Sequence, residues 1–155
     1  MAAGKTAEFA TDILEYIFSG TASLPTITNN TLYIGLLSDF PAGDAPYTAA
    51  QLSAVEVLNG GQIWRAPLPV ASIGAVTAIA NDAMSRTTTA EVAWPTAAVT
   101  GFTAKGYVIA INDTTQGAGV YLAYETFPEG SGKQRVVGAT DNVKINSGGL
   151  VIKEK

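Results

Sequence analysis

The chain has 155 residues, enough for one domain with a core of its own. It contains no cysteine and no histidine, which excludes a disulfide frame, a thiolate or imidazole metal centre, and the commonest general base and pH switch. Its 9 basic and 13 acidic side chains bring charged residues to only 14% of the chain, and no basic run could neutralise a row of phosphates, so no nucleic-acid partner is expected.

In chain order, the first predicted element is a helix over Ala7–Phe18. Phe9, Ile13 and Ile17 recur at i, i+4 and i+8, and Ala10, Leu14 and Phe18 repeat that spacing one residue on. Thr6 is placed to cap it, Glu8 and Asp12 complement its dipole, and Gly20 stops it. The stripe is wide, so it is expected to dock on something. After Pro25, Thr31–Leu37 (TLYIGLL) reads as a buried strand and Asp39–Pro46 (DFPAGDAP) as a loop. Tyr47–Ser53 is either irregular or a helical turn from Thr48. A short strand over Val55–Val57 leads to the Asn59-Gly60-Gly61 turn, and a strand resumes from Gln62 to Pro67. Pro67 and Pro69 bar a central hydrogen-bonded position, so this end is expected at a sheet edge or leaving the sheet.

Ala71–Ala80 is expected to be a loop with a weak strand, and Ser85–Trp94 a strand ended by Pro95. Gly106–Asn112 (GYVIAIN) and Val120–Phe127 (VYLAYETF) flank the turn Asp113–Gly119 and predict a β-hairpin. Short strands follow at Arg135–Val137, Asn142–Asn146 and Leu150–Lys153. The sum is a mainly β single domain over 1–155: an N-terminal helix arm (1–20), then an antiparallel β-sandwich or barrel-like body (31–153).

Motifs carrying chemistry are scarce. Gly4-Lys5-Thr6 has the letters that end a phosphate loop, but neither the earlier glycine nor a preceding strand is there. Glu91 and Glu125 lie in predicted strands and could face each other as glycosidase carboxylates would; the other acids sit mostly in turns, where Asp supports backbone hydrogen bonds. Asp39 and Asp44 share a loop without the alternating pattern of a calcium site. Serine and threonine lack an imidazole partner, and no Ser-x-x-Lys or Gly-x-Ser-x-Gly occurs. No catalytic, cofactor-binding or metal residue is therefore assigned, and the chain is expected not to be an enzyme. Trp64 before Arg65 and Trp94 before Pro95 fit core or interface anchors, because Trp and Arg dominate binding hot spots, and plain core packing suits Trp94 best. The low charge fits a surface covered by partner subunits, since interface cores are depleted in charge; an ordinary Ala/Thr/Gly-rich β surface fits it equally. Met1–Thr11 lacks the pattern of a secretory signal, and no apolar stretch nears the ~20 residues of a membrane span, so a protein made in a cytoplasm with no membrane partner is expected.

The order of these segments resembles a family of small tailed-bacteriophage virion proteins, described as tail-fibre-like, minor tail or capsid decoration (cement) proteins. The residues carrying the resemblance are Ile13–Phe18 followed by Gly20-Thr21-Ala22, then Leu32-Tyr33-Ile34-Gly35-Leu36-Leu37 with the proline-containing loop Ser38–Pro46. Glu56-Val57, Gly60–Arg65, Trp94-Pro95, Thr100-Gly101-Phe102, Gly106–Asn112, Gln116–Gly119 and Ser147–Ile152 continue it. Gln62-Ile63-Trp64 departs from the family's Tyr-Ala, and Ala71–Arg86 fits poorly. The resemblance implies a structural virion protein, first a decoration protein stabilising the major capsid shell, alternatively a tail fibre, minor tail or adaptor protein; a carbohydrate-binding module is a third reading. It implies other virion subunits as partners, self-association in which a trimer would fit, no cofactor, and a virion location. The expected partner contacts are Phe9, Ile13 and Ile17 on the helix, Phe40 and Tyr47 in the first loop, and Trp64 and Arg65.

Overall fold

The most apolar segments of the chain assemble into one central sheet. The computed structural model describes residues 3–79, 83–95, 101–138 and 141–154; Met1, Ala80, Thr100 and Lys155, which belong to segments read above, lie outside them. Strand β1 (Ala3–Lys5) leads directly into helix α1 (Ala7–Phe18), and β2 (Thr31–Leu37) follows a single 3-10 turn. Helix α2 (Ala49–Ser53) precedes β3 (Leu58–Asn59), β4 (Gln62–Ile63) and β5 (Arg65–Pro69). Then come β6 (Thr77–Ile79), β7 (Ala83–Thr87), β8 (Val92–Ala93), β9 (Phe102–Ala104), β10 (Gly106–Ala110), β11 (Tyr121–Thr126), β12 (Arg135–Val137), β13 (Lys144–Ile145) and β14 (Val151–Glu154).

The central sheet has the order β1-β11-β10-β2-β5, with every pair antiparallel. β10 pairs with β2 from Gly106 opposite Leu37 to Ala110 opposite Tyr33. β5 forms one edge, with Pro67 opposite Tyr33 and Pro69 opposite Thr31, as the missing proline donors require. The three-residue β1 forms the other edge, and a strand that short offers little template for further pairing. The remaining strands form the antiparallel ladders β12-β9, β13-β8, β14-β7-β6 and β3-β4.

Both faces of the central sheet are covered, so its inner strands read as apolar runs rather than alternating ones. On one face Leu32, Ile34, Leu36, Tyr107 and Ile109 pack with Trp64, Val92, Trp94 and Leu150. Val143 and Ile145 join from the ladders opposite. On the other face Leu37, Val108, Ala110, Tyr121 and Tyr124 meet Tyr47, Ala49 and Leu52 of the loop and short helix after β2. The fold is mainly β and antiparallel, with one N-terminal helix and the short α2, and is compatible with a sandwich or a partly closed barrel.

Two local expectations change, and one open choice is settled. Ser85–Trp94 is two strands, because Thr88 and Thr89 donate their N–H groups to Leu150 and Ser72 and leave the ladder. Val55–Val57 contributes only an isolated bridge between Glu56 and Leu37. The helical turn from Thr48 exists: the Thr48 hydroxyl accepts from Gln51 N while the Gln51 side chain accepts from Thr48 N, a reciprocal capping box.

Candidate interaction surface and the cavity beside it

Helix α1 is anchored at its start and free beyond it. Thr6 is fully buried; its hydroxyl donates to the Tyr121 carbonyl at 2.9 Å and accepts from Phe9 N at 3.3 Å. Thr6 N–H reaches the Leu122 carbonyl and Ala7 N–H the Tyr47 carbonyl, both at 3.0 Å. The Glu8 carboxylate accepts from Ala49 N at 3.0 Å, so one carboxylate serves the first turns of both helices. Past that point no residue of α1 is buried. Leu14, Tyr16, Ile17 and Phe18 are 57%, 53%, 62% and 80% exposed. Covering a large apolar side chain is worth about 1.5–3 kcal/mol, and an uncovered cluster of this kind marks an interaction site. Among the described residues the docking expected for the α1 stripe is made only in part: Phe9 and Ile13 are half-buried and Ile17 is open.

The loop after β2 supplies less surface than expected. Phe40 is half-buried, with the Lys105 ammonium 5.3 Å over its ring. Lys105 also donates to Asp39 Oδ1 at 2.9 Å; that hydrogen bond, with the Phe40 N–H second, holds the exposed Asp39 carboxyl below its ordinary pKa. Tyr47 belongs to the core instead. Its ring lies 5.1 Å from that of Tyr124, and its N–H donates to the Tyr124 hydroxyl at 3.2 Å. Burial raises the Tyr124 pKa.

Trp64 and Arg65 are corrected in the same direction, because each is only 3% exposed. Trp64 donates its indole N–H to the Pro95 carbonyl at 2.8 Å and packs on Trp94 and Phe102. Arg65 makes a two-point contact with Glu56, Nε to Oε1 at 2.6 Å and Nη2 to Oε2 at 2.9 Å, with both side chains sealed from solvent. Its Nη1 donates to the Asn112 and Thr115 carbonyls at 2.7 and 3.0 Å. The Tyr121 hydroxyl (2.6 Å) and Gln116 Nε2 (2.7 Å) donate to Glu56 Oε2. Burial first, then the Glu56 charge, pushes the Tyr121 phenol well above its usual pKa. Gly35 lies under this cluster, and a Cβ there would collide with Glu56 Oε1. The cluster clamps the β10–β11 loop onto the sheet and offers no group to a partner.

On the opposite face a cavity of about 510 Å³ opens between the central sheet and the 133–150 segment. Trp94, Tyr107, Phe127 and Leu150 make it mainly apolar, and Lys133, Arg135 and Lys144 also line it. Inside, the Tyr107 hydroxyl donates to Glu125 Oε2 at 2.9 Å, and Lys133 Nζ lies 3.4 Å from Glu125 Oε1. Burial, followed by the Glu125 charge and hydrogen bond, drives the Tyr107 phenol well above its ordinary pKa. The buried Trp94 indole N–H has no acceptor among the described residues. Glu91, which could have faced Glu125, pairs with Lys144 at 2.9 Å. Sequence reasoning singled out Glu125 and Trp94 but not the cavity, whose walls come from segments far apart in the chain. Among the described residues no group of three or more His, Cys, Asp or Glu could hold a metal ion, and no helix is long and apolar enough to cross a membrane.

No family model matches the chain, and no curated protein is recognisably similar to it.

Proposed function

We propose that this chain is a non-enzymatic structural protein of a tailed-bacteriophage virion, acting as a capsid decoration protein that binds and stabilises the major capsid shell. The carrying observation is helix α1: rooted through Thr6, Ala7 and Glu8, it extends Leu14, Ile17 and Phe18 into solvent. A rooted arm with an uncovered apolar end suits attachment to neighbouring subunits. The Glu56–Arg65 pair supports the same role, because it turns two potential surface charges into internal bracing of the body. Many copies on a symmetric particle would convert a modest arm contact into durable attachment.

The test is mass spectrometry and cryo-electron microscopy of purified particles. The protein is expected on the shell at high copy number; low copy number at the tail would favour the tail or adaptor alternative, and absence from particles would end the proposal. Deleting everything before Thr21 is not a clean test, because it also removes β1 from the sheet edge and the buried Thr6 anchor. Ile17→Glu with Phe18→Glu changes only exposed positions, and should weaken particle attachment while leaving the thermal midpoint of the free protein unchanged.

A further inference from the structure

We infer that the free end of α1 seats in the Trp94–Tyr107–Phe127 cavity of a second copy of this chain, linking copies head to tail. The inference deepens the proposed structural role by naming one occupant of the arm, and it rests on that reading only in taking α1 as adhesive. Two unpartnered features of complementary kind lie on the same molecule: an exposed apolar helix end, and an apolar cavity large enough for several side chains.

Topology separates them. β1 runs antiparallel to β11, with Ala3 opposite Glu125 and Lys5 opposite Ala123. The chain therefore enters α1 moving away from the Glu125–Phe127 end, where the cavity lies. The 12-residue helix then reaches about 18 Å from its anchor. The start of α1 is bound to Tyr47 and Ala49, which pack on the sheet face opposite the one that carries the cavity, so the cavity that receives the arm belongs to a neighbour. Such a contact joins two different surfaces, so it closes into a ring or propagates as a filament.

Charge and hydrogen bonding match as well. Residues 7–18 carry Glu8, Asp12 and Glu15 and no Lys or Arg, and the last carbonyls of a helix add partial negative charge. The cavity is lined by Lys133, Arg135 and Lys144 against Glu125 and Asp141; Lys133 pairs with Glu125 and Lys144 with Glu91, which leaves Arg135 as the cation to meet the helix. Arg135 donates to the Gly132 and Gln134 carbonyls and has no carboxylate partner among the described residues. The buried Trp94 N–H has no acceptor among the described residues, and the end of a helix presents free carbonyl oxygens. Val136, 82% exposed, adds an apolar contact at the cavity.

The chain has no cysteine, so introduced thiols report without background. Phe18→Cys and Val136→Cys would be made as separate full-length proteins, mixed and mildly oxidised. The expected result is a Phe18→Cys–Val136→Cys heterodimer in excess over either homodimer, and a ladder of multimers from the double variant alone. Ile17→Glu should abolish the ladder and weaken self-association in light scattering by about tenfold or more. A heterodimer no more abundant than random pairing would overturn the inference, as would a link within one chain or an Ile17→Glu variant that assembles normally. Particle binding by a protein that never self-links would overturn it too and leave the proposed function standing. Self-linking by a protein absent from particles would do the reverse.

Discussion

Glu56 and Arg65 show how a single buried pair constrains its surroundings. Removing one partner of a sealed, hydrogen-bonded ion pair leaves an uncompensated charge, and Arg65→Met is expected to cost about 3–5 kcal/mol in urea unfolding. Gly35→Ala should cost about 3 kcal/mol, the upper end for overpacking, because the added methyl displaces Glu56 Oε1 from Arg65. A urea midpoint unchanged by Gly35→Ala would mean that the carboxylate is not fixed there. The buried phenols set the pH response. Tyr107 and Tyr121 both have folded-state pKa values above the ordinary 10.0. Above that value the unfolded chain releases protons that the folded chain keeps, so their contribution is complete below about pH 10 and declines as pH rises. With no histidine, stability should be nearly flat from about pH 5 to 8 and fall on the alkaline side as these phenols titrate in the unfolded chain. Tyr107→Phe and Tyr121→Phe should each lower the plateau by losing a hydrogen bond, yet make the alkaline fall shallower. An equally steep fall in both variants would contradict the assignment.

Among the elements, α1 depends most on one residue. Thr6 caps the helix, bonds β11 and is fully buried, so three functions meet in one side chain. Thr6→Val keeps its shape and removes its hydrogen bonds. It should destabilise the fold by about 1–2 kcal/mol, the upper range for a lost helix cap, and loosen α1 first. Hydrogen exchange of the Phe9 and Ala10 amides would detect that; protection equal to the parent protein would show that the cap does not hold the helix. The β10–β11 loop relies on a different device. Asn112 Oδ1 accepts from the Thr114 and Thr115 N–H groups while Arg65 holds two carbonyls of the same loop. Local turn chemistry shapes the loop, and a residue 47 positions away fixes it to the sheet.

At the scale of the molecule, a sealed ion pair sits beside the apolar core and an apolar helix end stands in solvent, an arrangement an isolated monomer would not favour. That arrangement makes sense if α1 is covered after assembly. Replacing Ile17 and Phe18 with glutamate should therefore raise the solubility of the purified protein and reduce its self-association, with no loss in thermal midpoint, because neither side chain is buried in the monomer. A lower midpoint would mean instead that the helix end supports the body.

The elements that were legible from residues alone are those with strong local cause. Thr6 and the four-residue spacing set α1, the apolar runs of β2, β10 and β11 set the centre of the sheet, and Pro67 and Pro69 placed β5 at its edge. Strand β1 has almost no local signal and exists because β11 had a free edge. Ser85–Trp94 broke because Leu150 and Ser72 compete for its backbone donors. Tyr47, Trp64 and Arg65 were expected at a partner surface, since an aromatic or arginine suited to an interface is equally suited to a core. Only the tertiary structure decides between these, because burial depends on which distant segments close over a side chain. The apolar stripe of α1 was a property of the sequence; that its end stays exposed was decided by where the tertiary structure roots the helix, through Thr6, Ala7 and Glu8 at Tyr121, Tyr47 and Ala49.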